Sequence, residues 1–342
     1  MLRYLNGNQN NFLKKLNLLL KERNVLIGNK ITLVKKIIND VKKNQDKAVL
    51  KYEKKFSKLK KISTKNIIFS KSEINKIINK QDPKIKKSID LAYNRIAKFH
   101  KNQKIKSFNI SDKNKNHLSY TYSPIEKIGV YVPGGIASYP SSVLMNCIPA
   151  NIAGVKELFM TTPSINGNFN PAVIYAAKKC KVKKIYKVGG AQAIAAMAYG
   201  TKKIKKVNKI VGPGNQFVAL AKKEVFGEVG IDMIAGPSEV TVVGDGSSNP
   251  EWLAADLIAQ AEHDERSQSI LISNDKKLIK KVNFNLVKQL LKLEKKRIAS
   301  KSLKKFGFAI YANTNKFVKI INEIAPEHLE LNIKKPQKIL KK

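Results

Sequence analysis

Strands alternating with helices are the feature of this 342-residue chain that most constrains its fold. From Ile128 onward, short apolar runs such as Glu157–Thr161 are followed by longer segments with helical spacing, such as Pro171–Cys180. This alternation is typical of parallel sheets whose connecting helices cover their faces. The pattern starts again near residue 239 and continues to residue 324, so it predicts an α/β protein with two sheet domains.

Glycine-containing turns follow the predicted strands of the first set, at 134–135, 189–190 and 212–214. Ligands of parallel sheets bind beyond the carboxyl ends of the strands, where these turns lie. None of the turns is the GxGxxG fingerprint of a dinucleotide site, and each alone is more often a tight turn than a phosphate cradle. Their recurrence at successive strand ends leaves a nucleotide site and a set of ordinary turns about equally supported.

The net charge of +41 raises the hypothesis of a nucleic-acid-binding protein. Of the 66 basic residues, however, only five are arginines, whereas base reading and bidentate phosphate contacts favour arginine. The lysines are spread along the whole chain, as is typical of solvated surface positions. We therefore expect no specific nucleic-acid partner, only weak, salt-sensitive binding to polyanions.

Cysteine content and hydropathy exclude several other classes. Cys147 and Cys180 lack CxxC spacing, which predicts two free thiols and no cysteine metal site. No apolar run reaches the length of a membrane span. Lysine and asparagine interrupt the leucines of residues 1–27, which favours an amphipathic helical arm over a targeting peptide. The cytoplasm is the expected location.

The segment Ile231–His263 is the most specific motif, in which a Gly-Pro-Ser-Glu turn leads into an apolar strand and then a helix. The helix is predicted to end at His263, and residues three apart share a helix face. Gln260 and His263 therefore offer an amide oxygen and an imidazole nitrogen side by side, which suits a divalent metal.

A second histidine motif occupies residues 325–330 and contains Glu327 and His328. A histidine near neutral pKa suits proton abstraction from an alcohol, and a carboxylate suits the activation of water. Adjacent residues serve one centre only if a turn aims both inward, and Pro326 is expected to end the preceding helix and to set that turn.

Each candidate residue taken alone also has a purely structural interpretation. A histidine near a helix end or a carboxylate in a first turn interacts with the helix dipole, and an asparagine after a glycine caps the next helix. A tyrosine packs in a core with one wet edge, and serine and glutamine are ordinary in turns and first helical turns. These interpretations apply to His263, Glu327, Asn215, Tyr131, Ser238 and Gln192.

Taken together, the segments resemble the histidinol dehydrogenase family over nearly the whole chain from about Ile31. The matching stretches are 131–155, 188–201, 210–227, 231–268 and 324–332. The resemblance implies oxidation of L-histidinol to L-histidine through the aldehyde, the final step of histidine biosynthesis. It also implies NAD as cofactor, one zinc ion (Zn2+) per site and a homodimer.

The resemblance carries residue roles onto this sequence. It implies zinc ligation by Gln260 and His263, and an acid–base pair formed by Glu327 and His328. Further roles implied by the family are NAD contacts from Tyr131, Gln192 and Asn215, and substrate contacts from Ser238, Gln260, His263 and His328.

The family fold implies two incomplete Rossmann-like domains, with parallel sheets flanked by helices, and a helical N-terminal arm over 1–27. We expect 28–130 and 238–342 to form the first, discontinuous domain, which carries the metal and catalytic motifs. We expect 131–237 to form the second, inserted domain with the NAD contacts. Before the first strand, the spacing predicts helices over 31–104 and a polar loop over 107–118.

Members of the family continue beyond the point that corresponds to Lys342, so the resemblance implies a C-terminally truncated chain whose tail domain is missing. In the family that tail supplies further zinc ligands, one of them to the partner subunit, and part of the dimer contact. We therefore expect this chain alone to be nearly inactive and to bind zinc weakly, and the homodimer to be formed by the full-length protein.

Other functions stay open on the sequence. A zinc- and NAD-dependent dehydrogenase of the same superfamily, acting on another alcohol such as a sulfonated diol, would share these motifs. A basic nucleic-acid-binding protein fits the charge but not the dispersed lysines. A degenerate remnant without function is disfavoured because all the motifs are intact.

Overall fold

The computed structural model describes residues 2–22, 28–57, 61–134, 139–164, 168–234, 238–293 and 296–341, with the side chains of 28 and 29 excepted. The chain packs into two compact units. Unit 1 consists of Met1–Gly28 and Gly236–Lys342, and unit 2 consists of Asn29–Ala235. Each unit contains a parallel sheet flanked by helices, so the predicted α/β class is confirmed.

Helices and strands are numbered in chain order. The helices are α1 (Phe12–Lys21), α2 (Gly28–Phe56), α3 (Lys71–Asn79), α4 (Pro83–Lys101), α5 (Pro140–Ala153), α6 (Pro171–Lys179), α7 (Gly190–Tyr199), α8 (Gln216–Val225), α9 (Pro250–Ala261), α10 (Lys276–Lys292), α11 (Lys296–Phe306), α12 (Phe317–Ile324) and α13 (Gln337–Leu340). The strands are β1 (Arg3–Asn6), β2 (Phe108–Ser111), β3 (His117–Tyr120), β4 (Lys127–Tyr131), β5 (Glu157–Thr161), β6 (Lys184–Tyr186), β7 (Lys209–Val211), β8 (Gly230–Ile231), β9 (Glu239–Gly244), β10 (Gln268–Ser273), β11 (Gly307–Tyr311) and β12 (His328–Asn332).

Unit 2 is built on a five-stranded parallel sheet in the order β6-β5-β4-β7-β8. A separate hydrophobic core lies on each face, and alternate residues such as Phe159 and Met160 enter opposite cores. The chain leaves β4 toward β5 and β6, then returns to the other side of β4 for β7. The strand order therefore reverses between β4 and β7, and ligands of open α/β sheets bind at the carboxyl ends beside such a reversal.

Unit 1 is built on a second five-stranded parallel sheet, in the order β1-β11-β10-β9-β12. From β9 the chain proceeds to β10 and β11 on one side and then crosses to β12 on the other. Helices α9, α10 and α11 cover one face, and α1 and α12 cover the other. The two sheets thus share one winding, and the reversal in unit 1 lies between β9 and β12.

The predicted domain division was wrong for residues 28–130. These residues pack in unit 2 and not with the C-terminal part of the chain. Val49 of α2 shares one core with Met197 of α7, and Ile89 of α4 shares the other with Ile148 of α5. Helical spacing shows which face of a helix is apolar, but it carries no information on which sheet covers that face.

The N-terminal residues are an integral part of unit 1 and not a separate arm. Strand β1 pairs in parallel with β11, with Arg3 opposite Phe308. Leu5 and Leu16 are buried in the core on the α1 face of the sheet. The helix predicted within 1–27 exists as α1, but the short run RYLN before it shows too little alternation to predict a strand.

The stretch predicted as a polar loop over 107–118 overlaps the antiparallel hairpin β2–β3, which ends at Tyr120. Phe108 pairs with Tyr120, and their rings stack with centroids 5.7 Å apart. Every residue of 101–126 is exposed. Neither face of this hairpin is buried, so it lacks the alternation by which strands are recognised in a sequence.

Other predicted elements differ only at their ends or in continuity. Strand β5 coincides with the predicted run Glu157–Thr161, whereas α9 ends two residues before His263. Gln45, with a φ of 47°, interrupts α2. Strands β8 and β12 and helix α11 were not predicted. Among the described residues, no helix has both the length and the apolar character needed to cross a membrane.

Candidate functional site

Tyr131 ends the central strand β4 at the reversal point of unit 2. Its side chain is buried, and its hydroxyl oxygen accepts a hydrogen bond from the Gly190 N–H at 3.0 Å. Burial raises the pKa of Tyr131 to about 12, although the Gly190 hydrogen bond acts in the opposite direction. The phenol is therefore neutral and ties β4 to the start of α7.

Gln192 lies in the first turn of α7, as the structural interpretation predicted, and only 1% of it is exposed. Its side-chain nitrogen Nε2 donates to Oε2 of Glu53 at 3.1 Å. Its oxygen Oε1 is buried and has no hydrogen-bond partner in the part of the chain that the structure describes. Buried acceptors are rarely left unpaired, so this atom marks a place where a ligand donor is expected.

Glu53 of α2 is a site residue that the sequence reasoning missed. It is fully buried, accepts the Gly189 N–H at 3.0 Å, and is hydrogen-bonded to the Ser57 hydroxyl. Burial raises the pKa of this carboxyl above its usual value, against the hydrogen bonds from Ser57, Gly189 and Gln192. The available signal was its position one helical turn after the apolar Val49, on the buried face of α2.

Gly212 forms the turn after β7 with a φ of +111°, a region that favours glycine. A Cβ at this position would lie 2.2 Å from the Tyr131 carbonyl oxygen. The Gly212 N–H donates to Asp232 at 2.8 Å, and Nζ of the buried Lys222 donates to the Gly212 carbonyl at 3.1 Å and pairs with Asp232. The turn is thus held in place by an ion pair.

Asn215 is the N-cap of α8, as its structural interpretation predicted. Its side-chain oxygen accepts from the N–H groups of Phe217 at 3.0 Å and Val218 at 3.2 Å. With the bonds at Gly190 and Gly212, the chain itself satisfies several of the N–H groups that a phosphate uses at helix N-termini. These turns therefore shape the carboxyl edge but do not offer those N–H groups to a ligand. Asn215 is exposed beside them.

Unit 1 brings Ser238, Glu327 and His328 to the amino edge of its sheet. Ser238 precedes β9, His328 begins β12, and the pairing sets His328 opposite Val240. Oε2 of Glu327 lies 3.4 Å from the Glu239 N–H, and Oε1 of Glu327 lies 3.9 Å from Nε2 of His328. Three residues predicted to act on one substrate are therefore neighbours.

The turn that presents Glu327 and His328 differs in detail from the prediction. Helix α12 ends at Ile324, and Ala325 takes a left-handed conformation with a φ of 44° before Pro326 is reached. The side chains of Glu327 and His328 are 44% and 64% exposed. Ala325 thus supplies the reversal assigned to Pro326, and both side chains are accessible to a substrate.

Gln260 lies in the last turn of α9, and His263 follows the helix. The His263 N–H donates to the Gln260 carbonyl at 3.3 Å, which continues the helix as a tighter final turn. Nε2 of Gln260 is buried without a partner among the described residues, whereas His263 is exposed. The two residues are neighbours, and the unpaired Nε2 of Gln260 is suited to a hydrogen-bond acceptor.

The described ranges hold no cluster of three or more His, Cys, Asp or Glu side chains able to bind a metal. Zinc usually takes four ligands, and glutamine and histidine supply oxygen and nitrogen donors of the right kind. The Gln260–His263 pair therefore fits part of a zinc coordination sphere. Cys147 and Cys180 are buried as free thiols in one hydrophobic core of unit 2.

The carboxyl edge of unit 1 is closed by its own chain. Asp245, directly after β9, accepts from the Ser247 N–H at 2.9 Å and from the Lys334 N–H at 3.0 Å. Burial raises the pKa of Asp245, but the hydrogen bonds from Ser247 and Lys334 outweigh it and keep the pKa below its usual value. A carboxylate therefore lies at this edge of unit 1, which disfavours a diphosphate there.

Comparisons with known proteins identify the family of the chain. The histidinol dehydrogenase family model matches residues 21–342. Histidinol dehydrogenase of Pelagibacter ubique (strain HTCC1062) is 56% identical over 346 residues, which cover 100% of this chain and 79% of that protein. Histidinol dehydrogenase of Hydrogenovibrio crunogenus is 41% identical over 342 residues, with the same coverage of 100% and 79%.

A solved structure agrees as well. The crystal structure of histidinol dehydrogenase from Elizabethkingia anophelis matches with a TM-score of 0.84 at 40% identity, covering 90% of this chain and 71% of that one. The resemblance inferred from the motifs is thereby confirmed. The chain belongs to the histidinol dehydrogenase family and is an oxidoreductase of histidine biosynthesis.

Proposed function

We propose that the chain oxidises L-histidinol to L-histidine through the aldehyde, with NAD as the hydride acceptor in both oxidations and one zinc ion per site. Family membership supports the reaction. The observation that carries the proposal is the contact of Glu327 with both His328 and the Glu239 N–H, directly beside Ser238. This places a base, a carboxylate and a hydroxyl at one accessible edge.

The acid–base steps fall to Glu327 and His328. The His328 imidazole takes the alcohol proton as the hydride leaves, and the Glu327 carboxylate 3.9 Å away stabilises the imidazolium that forms. In the second oxidation, Glu327 takes a proton from the water that adds to the aldehyde. The Glu239 N–H at 3.4 Å holds that carboxylate in place.

The cofactors are assigned to different units. We propose that Gln260 and His263 hold zinc through the amide oxygen and the exposed imidazole, and that the ion would orient the imidazole and amine of histidinol. We propose that Tyr131, Gln192 and Asn215 contact NAD. Their position at the carboxyl edge beside the strand reversal of unit 2 supports this assignment.

Enzyme-excess kinetics provide the test. We expect slow turnover, because only two zinc donors are identified among the described residues. The protein is therefore used at a concentration at or above that of the substrate, and the NADH formed is measured. His328→Asn should slow hydride transfer from L-histidinol by roughly 10²–10⁴-fold, the usual share of a general base. Glu327→Gln should slow oxidation of histidinal more than that of histidinol.

Controls separate the alternatives. Binding of NAD, followed by calorimetry, should be the same in wild type and both variants because neither residue belongs to the NAD set. Oxidation of a sulfonated diol in place of histidinol would show the other dehydrogenase of the superfamily. Unchanged hydride transfer in His328→Asn would contradict the assigned base.

We further propose that the full-length protein is a homodimer, that it is located in the cytoplasm and that it has no specific nucleic-acid partner. The exposed apolar side chains on the β2–β3 hairpin, among them Leu118 at 69% exposure, support a contact between chains. Light scattering of the full-length protein after gel filtration should give twice the mass of one subunit. A mass of one chain at all concentrations would contradict the dimer.

A further inference from the structure

Glu53 and Gln192 form a buried pair whose chemistry decides what the amide of Gln192 can offer. Oε2 of Glu53 accepts two N–H groups, from Gly189 at 3.0 Å and from Nε2 of Gln192 at 3.1 Å. Oε2 therefore acts as an acceptor and carries no proton toward Gly189 or Gln192. When the carboxyl is protonated, the proton lies on Oε1 and points to Ser57. In both protonation states Glu53 thus presents an acceptor to Gln192, and the amide turns its nitrogen toward Glu53.

This arrangement leaves Oε1 of Gln192 as the free end of the side chain. The atom is buried and lacks a partner among the described residues. It lies against Gly190, where a Cβ would come within 2.8 Å of it. Gly190 opens α7 at the carboxyl edge, and its N–H is taken by Tyr131. The free acceptor is thus held at the edge assigned to NAD.

We propose that Glu53 is a positioning residue for dinucleotide binding, which fixes Gln192 so that its amide oxygen accepts a hydrogen bond from a donor group of NAD. The inference rests on the proposed NAD site of unit 2. The partner is a ribose hydroxyl, the nicotinamide carboxamide nitrogen or the adenine amine, which are the donors that NAD carries. A phosphate is excluded as the partner because it offers only acceptors.

The central test is NAD binding by calorimetry, which does not depend on turnover. Glu53→Gln retains an oxygen for Gly189 and Gln192 and an N–H₂ for Ser57, so its Kd should stay within about twofold of wild type. Glu53→Met keeps the volume but removes the acceptor, so the Kd should rise roughly tenfold, as for loss of one orienting hydrogen bond. Asp46→Leu removes another buried carboxylate from α2, one that bonds Thr201, and should leave the Kd unchanged.

A double-variant cycle separates positioning from simple stabilisation. In a Gln192→Met background, Glu53→Met should raise the Kd no further, because Glu53 acts through the amide. Thermal melts identify variants that fail to fold. A full additional effect in that background, or an unchanged Kd in well-folded Glu53→Met, would overturn the inference.

Analogues identify the donor. The 3-acetylpyridine analogue lacks the carboxamide nitrogen, and the hypoxanthine analogue lacks the adenine amine. Analogues with a 2′-deoxy or a 3′-deoxy ribose each lack one ribose hydroxyl. Wild type should bind one of these analogues more weakly than NAD, and Glu53→Met should lose that preference. Equal binding of all of them by wild type would also overturn the inference. Absence of NAD binding by wild type would instead refute the proposed cofactor site itself.

Discussion

At the residue scale, hydrogen-bond partners decide what a polar side chain offers to a ligand. The side-chain oxygen of Asn215 accepts the hydrogen bonds that cap α8. In Gln192 the side-chain nitrogen donates to Glu53, and the side-chain oxygen has no partner among the described residues. The sequence predicts that both residues lie at the carboxyl edge, because each follows a strand and a glycine turn. It does not predict the partner on α2, which lies more than a hundred positions away.

Burial of Glu53 predicts a pH dependence of stability. Its pKa is raised above the usual 4.5 by burial, so the folded state favours the protonated carboxyl. The stabilising contribution is complete below about pH 4.5 and is lost as the pH rises through the raised pKa. Glu53→Gln copies the protonated form without titrating. Urea denaturation across this range should show the free energy of unfolding shifting in favour of the variant as the pH rises.

A stability difference between Glu53→Gln and wild type that stays constant over this pH range would contradict the raised pKa. The comparison isolates Glu53 because the two proteins share every other titrating group. It also differs from the NAD binding test, in which Glu53→Gln is expected to behave like wild type.

Gly212 provides a second prediction at the residue scale. Gly212→Ala combines a φ of +111° with a Cβ 2.2 Å from the Tyr131 carbonyl oxygen, so it should lower the free energy of unfolding by at least about 2 kcal/mol. Gly227→Ala is the matched control, because Gly227 has a φ of +102° but no atom within 4 Å of a Cβ. It should lose only about 1 kcal/mol. Equal losses in urea denaturation would show that the close approach to Tyr131 contributes nothing.

At the scale of elements, local patterns predict strands and helices but not their partners. β5 was predicted to the residue because buried parallel strands are continuous apolar runs between glycine or proline turns. The exposed hairpin β2–β3 and the edge strand β1 were missed because an edge buries little apolar surface. The grouping of 28–130 was wrong because it depends on long-range packing alone.

Helix α1 allows a direct test of whether the N-terminal residues are an arm or part of unit 1. Leu16 is 0% exposed, whereas Leu18 on the same helix is 66% exposed. Leu16→Ala should lower the free energy of unfolding by about 2–5 kcal/mol, as for a core leucine. Leu18→Ala should change it by no more than about 0.5 kcal/mol. Similar small effects of both substitutions in urea denaturation would support the separate arm.

At the scale of the whole molecule, the two sheets have the same strand topology, but their candidate site residues lie at opposite edges. In both sheets the strand order reverses beside the first strand of the set, β4 in unit 2 and β9 in unit 1. Unit 2 keeps its carboxyl edge for Tyr131, Gln192 and glycine turns. Unit 1 fills the same edge with Asp245 and presents Ser238, Glu327 and His328 at its amino edge. The rule that places ligands at carboxyl ends therefore agrees with the proposed site of unit 2 and not with the one proposed for unit 1.

This asymmetry predicts where NAD slows amide hydrogen exchange. Because a bound ligand suppresses local opening, NAD should protect peptides that cover 186–199 and 209–225 of unit 2. The equivalent edge of unit 1, over 244–250, should exchange at an unchanged rate, since the Asp245 carboxylate there repels a diphosphate. Mass spectrometry with and without NAD measures both regions in one experiment. Protection at 244–250 without protection at 186–199 would place the dinucleotide on unit 1 and would remove the basis for assigning it to Tyr131 and Gln192.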